Sequence, residues 1–512
     1  MLFTQIERGR GDLPPQASRQ AFLVKDRWND YGYVTMFQLL IVDDAGNWHE
    51  LGNVKIGGFG VPEGWTAWPD LPSRFQLLDD RYFSLGQDDT YYEKLAGLGP
   101  GIRLQVLTAL RDVAYDSALL VRAEALDVTT TSLLRGIPLG VVENQFRRIA
   151  HGGARVTPYE FEYQPANGPS TTGPIWSRRL EFTVTPGEQP PTNIHVLIGR
   201  NAVGKSHLLR STVRAVADRR ADPADTGQIF ERNTASGHTF RGVVAVSFSA
   251  FDEFVSIPQA YQAVPYVHIG TYDPDGDYTS GPLGREQLAR MFSVSLDTCL
   301  TGPAAERWTR AVKTLRYSGS GFLEDDSWIS EFGEASAERR RAMATDLFAT
   351  LSSGHAIVLL TITRLVDQVH ERTLVVLDEP EAHLHPPLLA AFVRALSDLL
   401  LDRNGVAIVA THSPVVLQEV PSSCVSLIRR HGTLAVAQRP TLETFGENVG
   451  TLTHEVFSLE VSDSGYHRLI RTAVRDGMSY ETLLDRFAGR LGTEAKAIAR
   501  TLIAIRDSGG EL

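Results

Sequence analysis

The chain has 512 residues, 43% of them hydrophobic, which is apolar material enough for a large core and about two to four folded domains. Its formal net charge of -11 excludes a whole-protein positive field that would draw in nucleic acid or anionic membrane. Any such contact has to be local, at Arg339-Arg340-Arg341, Arg219-Arg220 or Arg429-Arg430, where a solvated face is the plainer reading.

Cys299 and Cys424 are too few and too far apart for a disulfide framework or a zinc knuckle. The N-terminal residues lack the basic flank and apolar core of a signal peptide, and no apolar run reaches membrane-spanning length. A soluble, cytoplasmic protein with no membrane partner is expected.

Residues 1–172 read as an N-terminal α+β domain. Val34–Val42 is strand-like and Asp43-Asp44-Ala45-Gly46-Asn47 is turn chemistry, which predicts a hairpin from about Tyr33 to Ile56. Helical spacing of Ile102, Val106, Leu107, Leu110, Val113 and Ala114 predicts an amphipathic helix over Ile102–Tyr115. Trp28, Tyr31, Tyr33, Trp65 and Trp68 fit core packing better than a binding face. Gln164–Pro174, dense in Pro, Gly and Ser, reads as a linker. Residues 173–440 follow as a catalytic core, with strand-like runs at Leu180–Val184 and Ile194–Ile198. Residues 441–512 form a helical C-terminal segment, clearest over Tyr466–Asp476 and Tyr480–Ile505. No internal repeat, heptad run or low-complexity tract is present.

The chemistry begins at Gly199-Arg200-Asn201-Ala202-Val203-Gly204-Lys205-Ser206, which fits G-x-x-x-x-G-K-[ST] at every fixed position, follows a strand and opens a helix at His207. Residues 199–207 are therefore the expected ATP-binding set. Glycines free backbone N–H groups to wrap phosphates, Lys205 reaches the β- and γ-phosphates, and Ser206 offers a hydroxyl to Mg²⁺. Thr373–Leu377 is an apolar run ended by Asp378 and Glu379, as a buried parallel strand delivering two carboxylates should be. Asp378 is the expected Mg²⁺ ligand, with Ser206, and Glu379 the general base that polarises water. The acidic run Asp273–Asp277 lacks the glutamate of a calcium loop and reads as a surface turn.

Further motifs narrow the class. Leu351-Ser352-Ser353-Gly354-His355 resembles the LSGGQ signature of ABC ATPases, and Val406–Thr411 followed by His412 resembles the strand and switch histidine of that class. Asp378-Glu379-Pro380-Glu381-Ala382-His383-Leu384-His385-Pro386 resembles the matching segment of the OLD-like and break-repair-like branch, within the AAA family at large. The resemblance spans about residues 179–430. It implies an α/β fold: an ABC-type P-loop NTPase head with the N-terminal α+β domain and the helical C-terminal tail appended. It also implies a homodimer, or a higher homo-oligomer, closed around ATP and Mg²⁺. In that arrangement Ser353 and Gly354 act on the partner's nucleotide, while Lys205, Glu379 and His412 carry catalysis.

Departures from the pattern are visible. No glutamine follows Val243–Ser247, where Ser249 or Asp252 would have to substitute, His355 stands for the signature glutamine, and Pro386-Pro387 occupies the D-loop position. After His431 no strand ends in the carboxylate set of a TOPRIM nuclease. The resemblance thus implies an ATPase that controls a separately encoded effector such as a nuclease, in the manner of Septu-type anti-phage defence. Two alternatives stay open: a DNA-maintenance ATPase that binds duplex DNA directly, and a scaffold that holds ATP with negligible turnover.

Overall fold

A computed structural model describes residues 1–7, 18–60, 69–167, 175–232, 240–248, 255–270, 283–300, 304–316, 327–463 and 465–508. The N-terminal sheet contains β1 (Leu2–Ile6), β2 (Gln20–Lys25), β3 (Met36–Val42), β4 (Trp48–Gly58), β5 (Arg74–Phe75) and β6 (Tyr82–Gly86), ordered β5-β1-β2-β3-β4-β6. β1 and β2 run parallel, and the remaining pairs are antiparallel. The expected hairpin is β3–β4. Asp43 makes its turn by accepting the N–H groups of Ala45 and Asn47, both at 2.9 Å.

The expected helix over Ile102–Tyr115 is shorter than its periodicity. It spans Pro100–Ala109, and Arg111 takes a left-handed φ of 52°. Val113 and Ala114 are buried all the same, because the fully enclosed Asp112 carboxylate gathers the Ala114 and Tyr115 N–H groups and the Tyr92 hydroxyl into a turn. Burial followed the apolar pattern, while the helix ended where a side chain offered the backbone a better partner.

The later strands are β7 (Tyr159–Gln164), β8 (Ile175–Trp176), β9 (Leu180–Val184), β10 (Ile194–Gly199), β11 (Gln228–Glu231), β12 (Gly242–Ser247), β13 (Tyr266–Gly270), β14 (Thr373–Asp378), β15 (Val406–Thr411), β16 (Val425–His431) and β17 (Leu434–Gln438). β7 precedes residue 173 yet pairs with β9 and β11 in a small antiparallel sheet of order β11-β7-β9. The main sheet runs β13-β12-β14-β15-β10-β16-β17-β8, parallel from β13 to β16. Alternate residues of its central strands enter two cores. Val196, Val375 and Val409 face one layer; Leu197, Val376 and Ile408 face the other. A sheet covered on both faces needs unbroken apolar runs, and Leu374–Leu377 of β14 and Val406–Ala410 of β15 supply them.

C-terminal helices span Val449–Asp463, Gly465–Arg475, Tyr480–Arg486 and Thr493–Asp507, with a small core of their own around Ile470, Val474, Leu483 and Ala499. The run expected over Tyr480–Ile505 is two helices, divided where Ala488 and Gly489 turn left-handed at φ 49° and 69°. Among the described residues no helix is long and apolar enough to cross a membrane.

Candidate ATP site

The strand order decides which side chains meet. β15 lies between β10, which carries the P-loop, and β14, which carries the two carboxylates, so His412 emerges between them at the same edge of the sheet. β10 ends at Gly199, where an added Cβ would stand 2.3 Å from the Ile428 carbonyl oxygen of β16. Only glycine permits that approach. The loop turns back through Ala202 at φ 61° and Gly204 at φ 101°, and Lys205 begins the helix Lys205–Ala217. Asn201 and Ala202 are exposed, Val203 is anchored in the core, and His207 faces solvent in the first turn.

Lys205 is 5% exposed, and its ammonium donates to the carbonyls of Gly199 at 3.1 Å and Arg200 at 3.2 Å. Burial lowers its pKa, opposed by the charges of Glu379, Asp378 and Glu381. The same ammonium lies 2.9 Å from His412 Nε2, and that nitrogen lies 2.9 Å from Glu379 Oε1. One ring nitrogen cannot serve both neighbours in the same way. Protonated, Nε2 donates to Glu379; unprotonated, it accepts from Lys205. The three expected catalytic residues thus form one chain of contacts, with the imidazole as its two-way element.

Glu379 holds a left-handed backbone, φ 46° and ψ 57°, while its N–H bonds to the Ala410 carbonyl at 2.9 Å. Such a conformation in a non-glycine residue costs about 1–3 kcal/mol and is retained where surroundings enforce it. Asp378 and Ser206 line one cavity of about 50 Å³ together with Ser247 and His268. A hydroxyl and a carboxylate converging in this way suit a hard cation such as Mg²⁺.

Residues 338–418 match the family described as "AAA domain, putative AbiEii toxin, Type IV TA system". Over 528 aligned residues the chain is 39% identical to Protein ea59 of Escherichia phage lambda, covering 99% of both sequences. The chain belongs to the ea59 family. Among solved structures, the ea59-family chain is similar to the ATP-binding cassette MJ1267 of an ABC transporter in its ADP conformation, at 14% identity and TM-score 0.31, over 60% of this chain and 98% of that one. It is also similar to a nucleotide-free cassette from an ABC transporter, at 14% identity and TM-score 0.28, over 59% and 95%. The core of this ea59-family chain is a P-loop ATPase domain, built in a mixed α/β fold.

Ser353 and Gly354 stand apart from the P-loop cluster. They open the helix Ser353–Gln368, capped by the Ser352 hydroxyl, which lies against β12, β13 and the turn Pro380–His383. A Cβ on Gly354 would meet the His383 carbonyl oxygen at 2.4 Å, so glycine is needed there for packing within the chain. Ser249, Asp252 and Asp273–Asp277 lie outside the described residues.

Sequence reasoning assigned no role to Glu381. Its carboxylate accepts the Thr411 hydroxyl at 2.7 Å and the His412 N–H at 2.6 Å, tying the residues after β14 to the end of β15. The signal was present in the four-residue spacing from Asp378 through Glu381, but only the strand order shows that Glu381 faces His412.

Proposed function

We propose that this chain is an ATP-hydrolysing switch whose ATP-bound dimer controls a separately encoded effector, such as a nuclease, in conflict with foreign DNA. The observation that carries it is the contact chain Lys205–His412–Glu379 at the ends of three adjacent strands. Lys205 donates to the P-loop carbonyls of Gly199 and Arg200, bonds that a nucleotide's phosphate oxygens could replace. Asp378 and Ser206 would hold Mg²⁺, which supplies charge neutralisation at the phosphates. Glu379 accepts a proton from the attacking water, and His412 fixes where that carboxylate points.

Ser353 and Gly354, at the start of a helix packed on the turn Pro380–His383, would act on the nucleotide of a second copy through N–H groups of that helix's first turn. The phage origin of the ea59 relative and the toxin named in the matching family's description favour a setting of competition between phage and host.

The test is ATP hydrolysis by the purified chain beside Lys205→Ala and Glu379→Gln, with mass measured in ATP. Turnover lost in both variants, with a stable ATP-bound dimer in Glu379→Gln, supports the switch. Turnover unchanged in Glu379→Gln removes Glu379 as the base. A duplex-DNA binding series over salt checks the alternative of a DNA-maintenance ATPase, for which affinity must fall steeply as salt rises.

A further inference from the structure

Near the N-terminal ends of β14 and β15, the end of the main sheet away from the P-loop, a cavity of about 610 Å³ is lined by both the N-terminal domain and the ATPase core. Its volume falls in the range of small-molecule sites. Arg403, the C-cap of the helix Pro386–Asp402, lines it at 8% exposure. The Arg403 guanidinium donates no hydrogen bond among the described residues, and its Nε is buried without a partner. A buried guanidinium with unused donors is costly unless something supplies acceptors.

Each carboxylate lining the cavity has a partner other than Arg403, beginning with Asp26, which accepts the Trp28 N–H at 3.0 Å. Asp30 takes Lys55 and Arg135, each at 2.7 Å; Asp88 takes Arg307 at 2.7 Å; Asp297 takes Arg340 at 3.2 Å; Asp367 accepts from Ser295 at 2.7 Å and Gln368 at 2.9 Å. Asp88 and Asp89 are near enough to favour the charge on Arg403 but not to bond it. Arg307 also keeps a buried Nε unpartnered, and the His370 ring lies close enough to feel both arginines. At the solvent side, Trp28 and Tyr31 are exposed, with the Arg135 guanidinium 4.6 Å from the Tyr31 ring centre. A planar group has a stacking surface there.

We propose that this cavity is a second ligand site, for a phosphate-bearing small molecule of nucleotide size. Its phosphate takes the unused donors of Arg403 and Arg307, and its planar base lies against Trp28 and Tyr31. The helix Pro386–Asp402 starts at His385, just after the turn that follows Asp378 and Glu379, and ends at Arg403, so it spans the roughly 25 Å between the two sites at 1.5 Å per residue.

The test uses the full chain carrying Lys205→Ala, which disables the P-loop, with pyrophosphate and with adenosine, guanosine and uridine monophosphates as calorimetric probes. One-to-one nucleotide binding is expected, weakened about tenfold or more by adding Arg403→Gln. Trp28→Ala is expected to weaken the nucleotides while leaving pyrophosphate unchanged. If Arg403→Gln fails to fold, Arg403→Lys, which keeps the charge and loses the planar fork, carries the same expectation. No binding of any probe at about millimolar concentration overturns the site, as does affinity undiminished in the folded Arg403 variant. Equal effects of Trp28→Ala on both probe types overturn its assignment to a nucleotide.

Discussion

The two large sheets solve the problem of buried charge in opposite ways. In the N-terminal sheet Lys55, 3% exposed, is matched to Asp30, 1% exposed, and Arg135 and the Ser132 hydroxyl complete the Asp30 carboxylate. In the ATPase sheet Lys205, nearly as buried, rests on carbonyls and on a histidine nitrogen that a carboxylate also approaches. The first network is a direct ion pair reinforced by a second cation and by hydrogen bonds. The second is made of bonds that phosphate oxygens can exchange, and such exchangeability separates a reactive site from a structural one.

Glu379→Gln is the largest break in that comparison: turnover is expected to fall about 10²–10⁴-fold while the melting temperature barely moves. Lys55→Met should do the reverse. Leaving Asp30 enclosed with only the half-exposed Arg135 costs about 3 kcal/mol in a urea titration, with turnover per folded molecule unchanged. A loss of turnover there would mean that the two networks are coupled.

A smaller effect follows from His195 on β10, which is fully buried. Burial lowers its pKa from 6.5 to about 3. A depressed folded-state pKa contributes stability that is present above pH 6.5 and lost as pH falls from there, at about 1.4 kcal/mol per pH unit. His195→Phe should remove that acid slope, read as the difference in urea midpoints at pH 7 and pH 5. Asp112, raised to about 6 by burial, acts with the opposite sign between its ordinary value of 3.8 and 6, and it is common to both chains. The smallest expected change is Thr411→Val, which removes one bond to Glu381 and costs about 1 kcal/mol, with a severalfold drop in turnover as His412 loosens.

What could be read from the sequence follows the same division. The P-loop and the Asp378–Glu379 pair were legible because chemistry restricts residue type at fixed spacing. The parallel strands were legible because both faces are covered. The early end of the helix at Ala109 was hidden, since Arg111 and Asp112 look ordinary until Tyr92 arrives from another helix. The pairing of β7 with β9 and β11, the part played by Glu381 and the unused donors of Arg403 are equally products of long-range contact. None has a local signature.

β15 is buried at every position and apolar nearly throughout, so nothing amphipathic guards its alignment with its neighbours. A slip of one residue would carry His412 about 3.3 Å along the strand, more than a hydrogen bond's length, while leaving an equally greasy surface in the core. The strand is thus a ruler without its own zero mark. That mark is set at its two ends, by the bond from the Ala407 N–H to the Asn193 carbonyl and by the grip of Glu381 on Thr411. The position of His412 is therefore held by two modest tethers outside it, and drift in either is expected to lower turnover without unfolding the chain.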